Sequence, residues 1–314
     1  MYKSSASREK IGVTSRGSPV LKPHRLACLL LSLCLAVPTL ASEVQLASVH
    51  AAVGNLETGK LLYIKNADRA VPIASVTKLM MAMVVLDARQ PMDEWLPILG
   101  WLEKTGKNAY SRLRVGSQSR RDQLLKIALM SSENLAAHTL ARYYPGGFDA
   151  FVSAMNAKAR SLGMTTATFD DPTGLSLGNQ ASATDLWKML AAAWHYDLIR
   201  AYSTTYQYQA RFRGPRYSLG YGNTNPLTAS SRWDVQLSKT GYLKESGRCL
   251  VMATDVDGEP IGMVFLNSFG TRTPLGDAGR TRRWLTNGDT GHVAGAALDY
   301  ERQTVRTLYG SADD

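Results

Sequence analysis

The chain has 314 residues, 45% of them hydrophobic and 20% charged, with 36 Lys and Arg against 26 Asp and Glu for a net charge of +10. Six of those basic residues and one acidic residue fall in residues 1–42, so the remainder carries only +5. With no Lys/Arg run interleaved with aromatics, that balance excludes a nucleic-acid footprint and leaves an anionic polymer such as cell wall as a compatible partner.

Residues 1–42 read as an export signal. Lys3, Arg8, Lys10, Arg16, Lys22 and Arg25 lead into the apolar run Leu26 to Val37, and Pro38, Ala41 and Ser42 suggest cleavage near Ala41 or Ser42. The run is about a dozen residues, short of the ~20 that a spanning helix needs; an uncleaved anchor is the alternative. No lipoprotein box surrounds Cys28 or Cys34. Cleavage would leave Cys249 alone, in the apolar stretch Cys249 to Met252, as a buried structural thiol with no internal disulfide.

A hairpin should follow, from Val44 to Val53, turning at Leu56-Glu57-Thr58-Gly59 and returning through Leu61 to Ile64. A helix opens at Ser75 and runs to about Arg89, apolar almost all round and therefore buried. Further helices are expected over Arg121 to Met130, Leu135 to Tyr143, Asp149 to Leu162 and Thr184 to Leu198. Strand signals return at Trp233 to Leu237, Cys249 to Thr254 and Ile261 to Leu266, with a turn at Asp257-Gly258. A short helix is expected around Arg280 to Leu285, and the polar residues 288–314 look like a loose tail. The pattern gives an α+β class: an antiparallel sheet built from both chain ends, with an inserted helical lobe and a cleft between them. No internal repeat or low-complexity tract interrupts residues 43–287.

Three motifs carry chemistry. Ser75-Val76-Thr77-Lys78 sets a hydroxyl and an amine three apart at a helix start, on one face. Burial would lower the lysine pKa and make it a base for the serine, beside the positive end of the helix. Ser132-Glu133-Asn134 offers a hydroxyl to relay a proton and an amide to hold a peptide carbonyl. Lys239-Thr240-Gly241, at the end of a strand, offers a fixed positive charge, a hydroxyl for a carboxylate and room for substrate backbone. Taken singly, each has a bland reading: a helix cap with a snorkelling lysine, a capping serine, a strand-end turn. Their order, S-x-x-K, S-x-N, K-T-G, describes a serine acyl-enzyme built without histidine.

Decoys exist. Ser7-Arg8-Glu9-Lys10 falls in the signal, and Lys104-Thr105-Gly106 precedes the S-x-N in a polar stretch without strand pattern. Gly174-Leu175-Ser176-Leu177-Gly178 fits a nucleophile elbow but lacks the strand before it and the helix after it. His50, His138, His195 and His292 show no metal spacing, and no cofactor or metal is expected.

At these motifs the chain resembles the low-molecular-mass penicillin-binding serine DD-peptidases. The likeness extends through Ile73 to Asp87, Tyr110 to Leu113, Ala128 to Ala137, Phe151 to Met164, Pro172 to Leu175 and Gln236 to Met252, about residues 45–286 in all. The resemblance implies the DD-peptidase/β-lactamase-like fold, with Ser75 acylated, Lys78 its base and Ser132 a proton relay. It also implies that Asn134, Lys239, Thr240 and Gly241 hold substrate, and that the backbone N–H groups of Ser75 and Tyr242 form the oxyanion hole. Partners implied are the cross-linked peptides of peptidoglycan and β-lactams as acylating inhibitors, in the periplasm, with loose membrane or wall association. The sequence has no E-x-x-L-N deacylating glutamate, so a β-lactam adduct should leave slowly. Only 73 residues follow Gly241, fewer than the extra domain and anchor of the carboxypeptidase branch require, which favours the endopeptidase branch. A DD-carboxypeptidase using the same residues, or a penicillin- or wall-binding module without turnover, are the other readings.

Overall fold

The structure is a computed structural model that describes residues 44–102 and 110–310. Its first elements are the expected hairpin, β1 (His50–Asn55) paired antiparallel with β2 (Leu61–Lys65). Asn55 shapes the turn by accepting from Glu57 N and Thr58 N, each at 2.9 Å. A short β3 (Val71–Pro72) leads into a 3-10 turn, Ala74–Thr77, and then helix α1 (Lys78–Asp87). Eight of the ten α1 residues are buried, so α1 is the central helix of the lobe. Each of its Leu, Met and Val side chains contributes about 1.5–3 kcal/mol on burial.

The lobe continues with β4 (Trp95–Pro97) and β5 (Gln118–Arg120), which pair with each other. Helices α2 (Arg121–Met130), α3 (Asn134–Arg142) and α4 (Gly147–Ser161) follow, then β6 (Gln180–Ala181), which pairs with β3. The helix expected over Thr184 to Leu198 is two: α5 (Ala183–Trp194) and α6 (Asp197–Thr204), broken at His195 and Tyr196. A hairpin that the sequence reading lacked comes next, β7 (Gln207–Phe212) and β8 (Tyr217–Gly222). Tyr208, Ala210 and Phe212 on β7 and Tyr217, Leu219 and Tyr221 on β8 alternate with polar or glycine residues, a period-2 signal that the sequence reading passed over.

The chain then returns to the sheet as β9 (Val235–Leu243), β10 (Gly247–Val256) and β11 (Glu259–Ser268). The sheet order β2-β1-β11-β10-β9 is antiparallel throughout and joins the two ends of the chain, with β9 at an edge. Gly54 and Gly262 face each other across β1 and β11. A Cβ at Gly54 would stand 2.7 Å from the Trp187 ring and one at Gly262 3.1 Å from its nitrogen. These glycines let the indole of α5 lie on the sheet and seat the lobe there. The opposite face is covered by α7 (Thr273–Asn287), longer than the short helix expected.

Two further expectations change. The K-T-G does not end its strand: β9 runs on to Leu243, because β10 pairs with it through Gly241, Tyr242 and Leu243. The polar tail contains α8 (Gly295–Tyr309). Its apolar contact is small, Ala297 with Ala47 and Val293, and polar links complete it. Glu301 meets Lys65 at 3.1 Å, and the Tyr300 hydroxyl donates to Asn267 Oδ1 at 2.6 Å. The signal reading at 1–42 and the Lys104 decoy lie outside the described residues. Among the described residues, no helix is long and apolar enough to cross a membrane.

Candidate active site

Ser75 sits in the 3-10 turn ahead of α1, half-buried, with its backbone pressed from two sides. A Cβ at Gly174 would fall 2.0 Å from Ala74 O and 2.8 Å from Ser75 N. A Cβ at Gly241 would fall 3.0 Å from Ile73 O and 3.1 Å from Ser75 N. The room at Gly241 is therefore used by the protein's own backbone, to bring β9 against the serine. Only glycine fits at Gly174, which also has φ of 82°.

Lys78, the first residue of α1, is fully buried, and its Nζ has three acceptors. It donates to Ser75 Oγ at 3.0 Å, Asn134 Oδ1 at 2.7 Å and Thr173 O at 2.6 Å. Burial lowers its pKa to about 7, and the carboxylates of Asp171 and Glu133 keep it from falling further. A substantial neutral fraction at neutral pH, in contact with a serine hydroxyl, is the condition under which an amine can serve as a base.

Ser132 and Asn134 come from the α2–α3 junction. Ser132 is not the cap of α3; Glu133 is, its Oε1 accepting from Leu135 N at 3.2 Å. Ser132 is held at φ of 62°, a left-handed conformation that costs a non-glycine residue about 1–2 kcal/mol. Thr224 N donates to Met130 O at 3.0 Å and thereby ties this junction to the segment after β8.

On β9, Lys239 is buried and its Nζ donates to Thr240 O at 2.7 Å. Burial holds its pKa well below the usual lysine range, and the nearby Lys78 pushes it the same way. An anionic group brought to this lysine would favour its charged form and oppose that shift. Thr240 Oγ1 donates to Thr224 Oγ1 at 2.7 Å. Tyr242 is exposed, and the Arg248 guanidinium lies 3.9 Å from its ring centre.

Ser75, Ser132, Asn134, Thr240, Gly241 and Tyr242 line one cleft of about 830 Å³, with Lys78 and Lys239 buried beside it. All eight residues singled out in the sequence are thereby brought together. The same cleft is lined by Arg248 and Arg272, which sequence reasoning missed. Arg248 reaches it because it pairs with Tyr242 across β9 and β10, a register that no local motif records. Cys249, beside it, is buried with its thiol pushed up to about 11 by desolvation, as a structural cysteine should be.

Asp171 was also missed. It is a carboxylate whose burial is outweighed by hydrogen bonds, which hold its pKa below the usual range. It accepts from Thr173 N and Oγ1 at 2.5 Å, Gly174 N at 2.8 Å, Ser176 N at 2.7 Å and Asn179 Nδ2 at 2.7 Å. The Asp171-Pro172-Thr173-Gly174 run is an Asx-turn signal, and this turn aims Thr173 O at Lys78. The elbow serine is spent in the same turn: Ser176 Oγ donates to Asp170 at 3.0 Å and accepts from Gly178 N at 3.0 Å. Among the described residues, no group of three His, Cys, Asp or Glu is placed to hold a metal.

The comparisons agree with this geometry. Residues 37–270 match the family model described as D-alanyl-D-alanine carboxypeptidase. The chain is 48% identical to a D-alanyl-D-alanine endopeptidase of Pseudomonas aeruginosa, over 90% of this chain and 94% of that protein. It is 44% identical to a D-alanyl-D-alanine endopeptidase of Escherichia coli, over 90% and 96%. The crystal structure of the Streptomyces K15 DD-transpeptidase superposes with a TM-score of 0.68 at 26% identity, over 83% of this chain and 99% of that one. Penicillin-binding protein D2 of Listeria monocytogenes, in its cefotaxime-bound form, gives 0.66 at 25% identity, over 76% and 97%. The chain belongs to the D-alanyl-D-alanine carboxypeptidase family of serine peptidases.

Proposed function

We propose that this serine peptidase is a D-alanyl-D-alanine endopeptidase that opens the D-alanyl–diaminopimelate cross-links of peptidoglycan through an acyl-enzyme on Ser75. The observation that carries the mechanism is the buried Lys78 Nζ, 3.0 Å from Ser75 Oγ. Similarity supports the endopeptidase reading: identity is 44–48% to the two endopeptidases and 28–30% to two E. coli carboxypeptidases.

In the first half-reaction Ser75 Oγ attacks the D-alanyl carbonyl carbon as its proton passes to Lys78 Nζ. The N–H groups of Ser75 and Tyr242 take the developing oxyanion. Because Asn134 Oδ1 accepts from Lys78, the amide nitrogen of Asn134 is the end that addresses a substrate carbonyl. The C–N bond then breaks, and Ser132 relays a proton from Lys78 to the leaving amine. Thr240 and Lys239 hold the carboxylate beside that amine, and its charge favours the ammonium form of Lys239. Water, deprotonated by Lys78, attacks the D-alanyl ester and frees Ser75. A β-lactam would acylate the same serine. The cleft would work in the periplasm after removal of residues 1–42.

The test gives purified protein an equal mixture of a cross-linked muropeptide dimer and a monomeric pentapeptide, followed by mass spectrometry. Conversion of dimer to monomers is expected, with none from Ser75→Ala. Loss of only the terminal D-alanine would make the protein a carboxypeptidase. Hydrolysis by Ser75→Ala would overturn the mechanism.

A further inference from the structure

Beside the cleft lies a surface that the reaction does not use. Residues 110–120 pack on the β7–β8 hairpin: Gln118 and Arg213 exchange backbone hydrogen bonds, and Arg112 donates to Gly220 O at 2.7 Å. The two segments expose five arginines, Arg112, Arg114, Arg211, Arg213 and Arg216. Neither residues 110–121 nor residues 205–233 contain an Asp or Glu. This concentration stands out on a chain whose net charge beyond residue 42 is only +5.

Three of the guanidiniums lie over aromatic rings. Arg112 lies 4.7 Å from the Tyr221 ring centre, Arg114 4.8 Å from Tyr217 and Arg213 4.0 Å from Trp95. Contact with a ring restrains each of these side chains, which lowers the entropy lost when it binds an anion. On β7 the exposed residues alternate, Gln207, Gln209, Arg211, and continue to Arg213. Across from Gln207 and Gln209 the strand β8 presents Gly222 and Gly220. The missing side chains leave a shallow groove of about 430 Å³, lined by Gln207, Tyr208, Gln209 and Tyr221. The amide groups of Gln207 and Gln209 along such a groove suit hydroxylated rings, and the arginines beyond it suit carboxylates. The groove also leads to the cleft: from Gly222 only two residues, at most about 7 Å of chain, reach Thr224, which bonds Thr240.

We propose that the β7–β8 hairpin and residues 110–120 form an exosite for a carboxylate-bearing glycopeptide strand, the polymer whose cross-link enters the cleft. It rests on the function proposed above. The exosite would hold the enzyme on intact wall, where many weak contacts along one strand raise the effective concentration of the next cross-link.

Two variants of the full chain test it. Arg211→Glu with Arg216→Glu changes only exposed side chains; Arg114→Gln with Arg213→Gln removes two of the guanidiniums that lie over rings. Each is measured for co-sedimentation with purified sacculi, release of peptides from sacculi, cleavage of a soluble cross-linked dimer and acylation by a β-lactam. Binding to sacculi and release from them should fall about tenfold, and wild-type binding should weaken at high salt. Cleavage of the soluble dimer and acylation should stay within about twofold of wild type. Unchanged binding in both variants would overturn the exosite. Equal loss on soluble and insoluble substrate would overturn it too, by placing the surface in catalysis itself. Wild-type binding to vesicles of anionic phospholipid but not to sacculi would do the same. A wild-type protein that is acylated and binds sacculi but leaves the dimer intact would overturn the endopeptidase reading alone.

Discussion

Two lysines are buried at this cleft, and their surroundings differ. Lys78, at the start of α1, has three oxygen acceptors and two carboxylates in its neighbourhood. Lys239, on the edge strand β9, donates to the next residue's carbonyl and feels Lys78 as its charged neighbour. Burial drives both toward the neutral form, but of the two only Lys78 is hydrogen-bonded to the Ser75 hydroxyl. In the proposed mechanism the first environment suits a base and the second suits a cation that meets an anionic substrate group.

The largest expected effect would break the comparison at its centre. Lys78→Ala should lower the rate of Ser75 acylation by a factor of about 10²–10⁴, read by single-turnover labelling with a fluorescent penicillin. Retained acylation would remove Lys78 from the base role. Lys239→Ala should cost about 10²–10³ in kcat/KM for the cross-linked dimer, with less effect on the labelling of Ser75 by an uncharged acylating ester. An equal loss on both would mean that Lys239 acts on Ser75 rather than on the carboxylate.

Stability sharpens the contrast. Lysine pKa values lowered by folding mean that the unfolded chain binds more protons above the folded pKa. Stability should therefore rise with pH from about 7 toward the ordinary lysine range. Replacing a buried lysine with little compensation should then stabilise the fold. Lys239→Met is expected to raise stability by about 1–2 kcal/mol while removing activity. Lys78→Met should gain less, because Asn134 Oδ1 and Thr173 O lose their donor. Thermal unfolding of the two variants at pH 7 measures the difference, and identical shifts would contradict it.

The smallest expected effect concerns the far end of the molecule. Tyr300→Phe deletes the hydrogen bond to Asn267 Oδ1 and should cost about 0.5–1.5 kcal/mol in denaturant unfolding, with acylation unchanged.

The same contrast marks what the sequence could disclose. Ser75, Lys78, Ser132, Asn134 and the K-T-G were legible because each pair or triplet is fixed by local geometry: one helix turn, one junction, one strand. The Lys78 environment was legible too, since an apolar helix around a lysine implies desolvation. Residues placed by long-range pairing were not. Arg248 faces the cleft through the register of β10 on β9, and Asp171 acts on Lys78 through a turn rather than by contact. The β7–β8 hairpin was legible in the strict alternation of its two strands but was passed over, and α8 was hidden by an apolar stripe of only a few residues. That helix is held more by tertiary contacts than by its own pattern.

The most direct test of the account is the pH dependence of Ser75 acylation by a β-lactam, followed in single turnover from pH 5 to pH 10. With neutral Lys78 as the base, the rate should rise through one ionisation near pH 7, where burial places that amine, and then level off. A rate that is flat across the range, or that climbs only toward pH 10, would show that the base is not a desolvated Lys78.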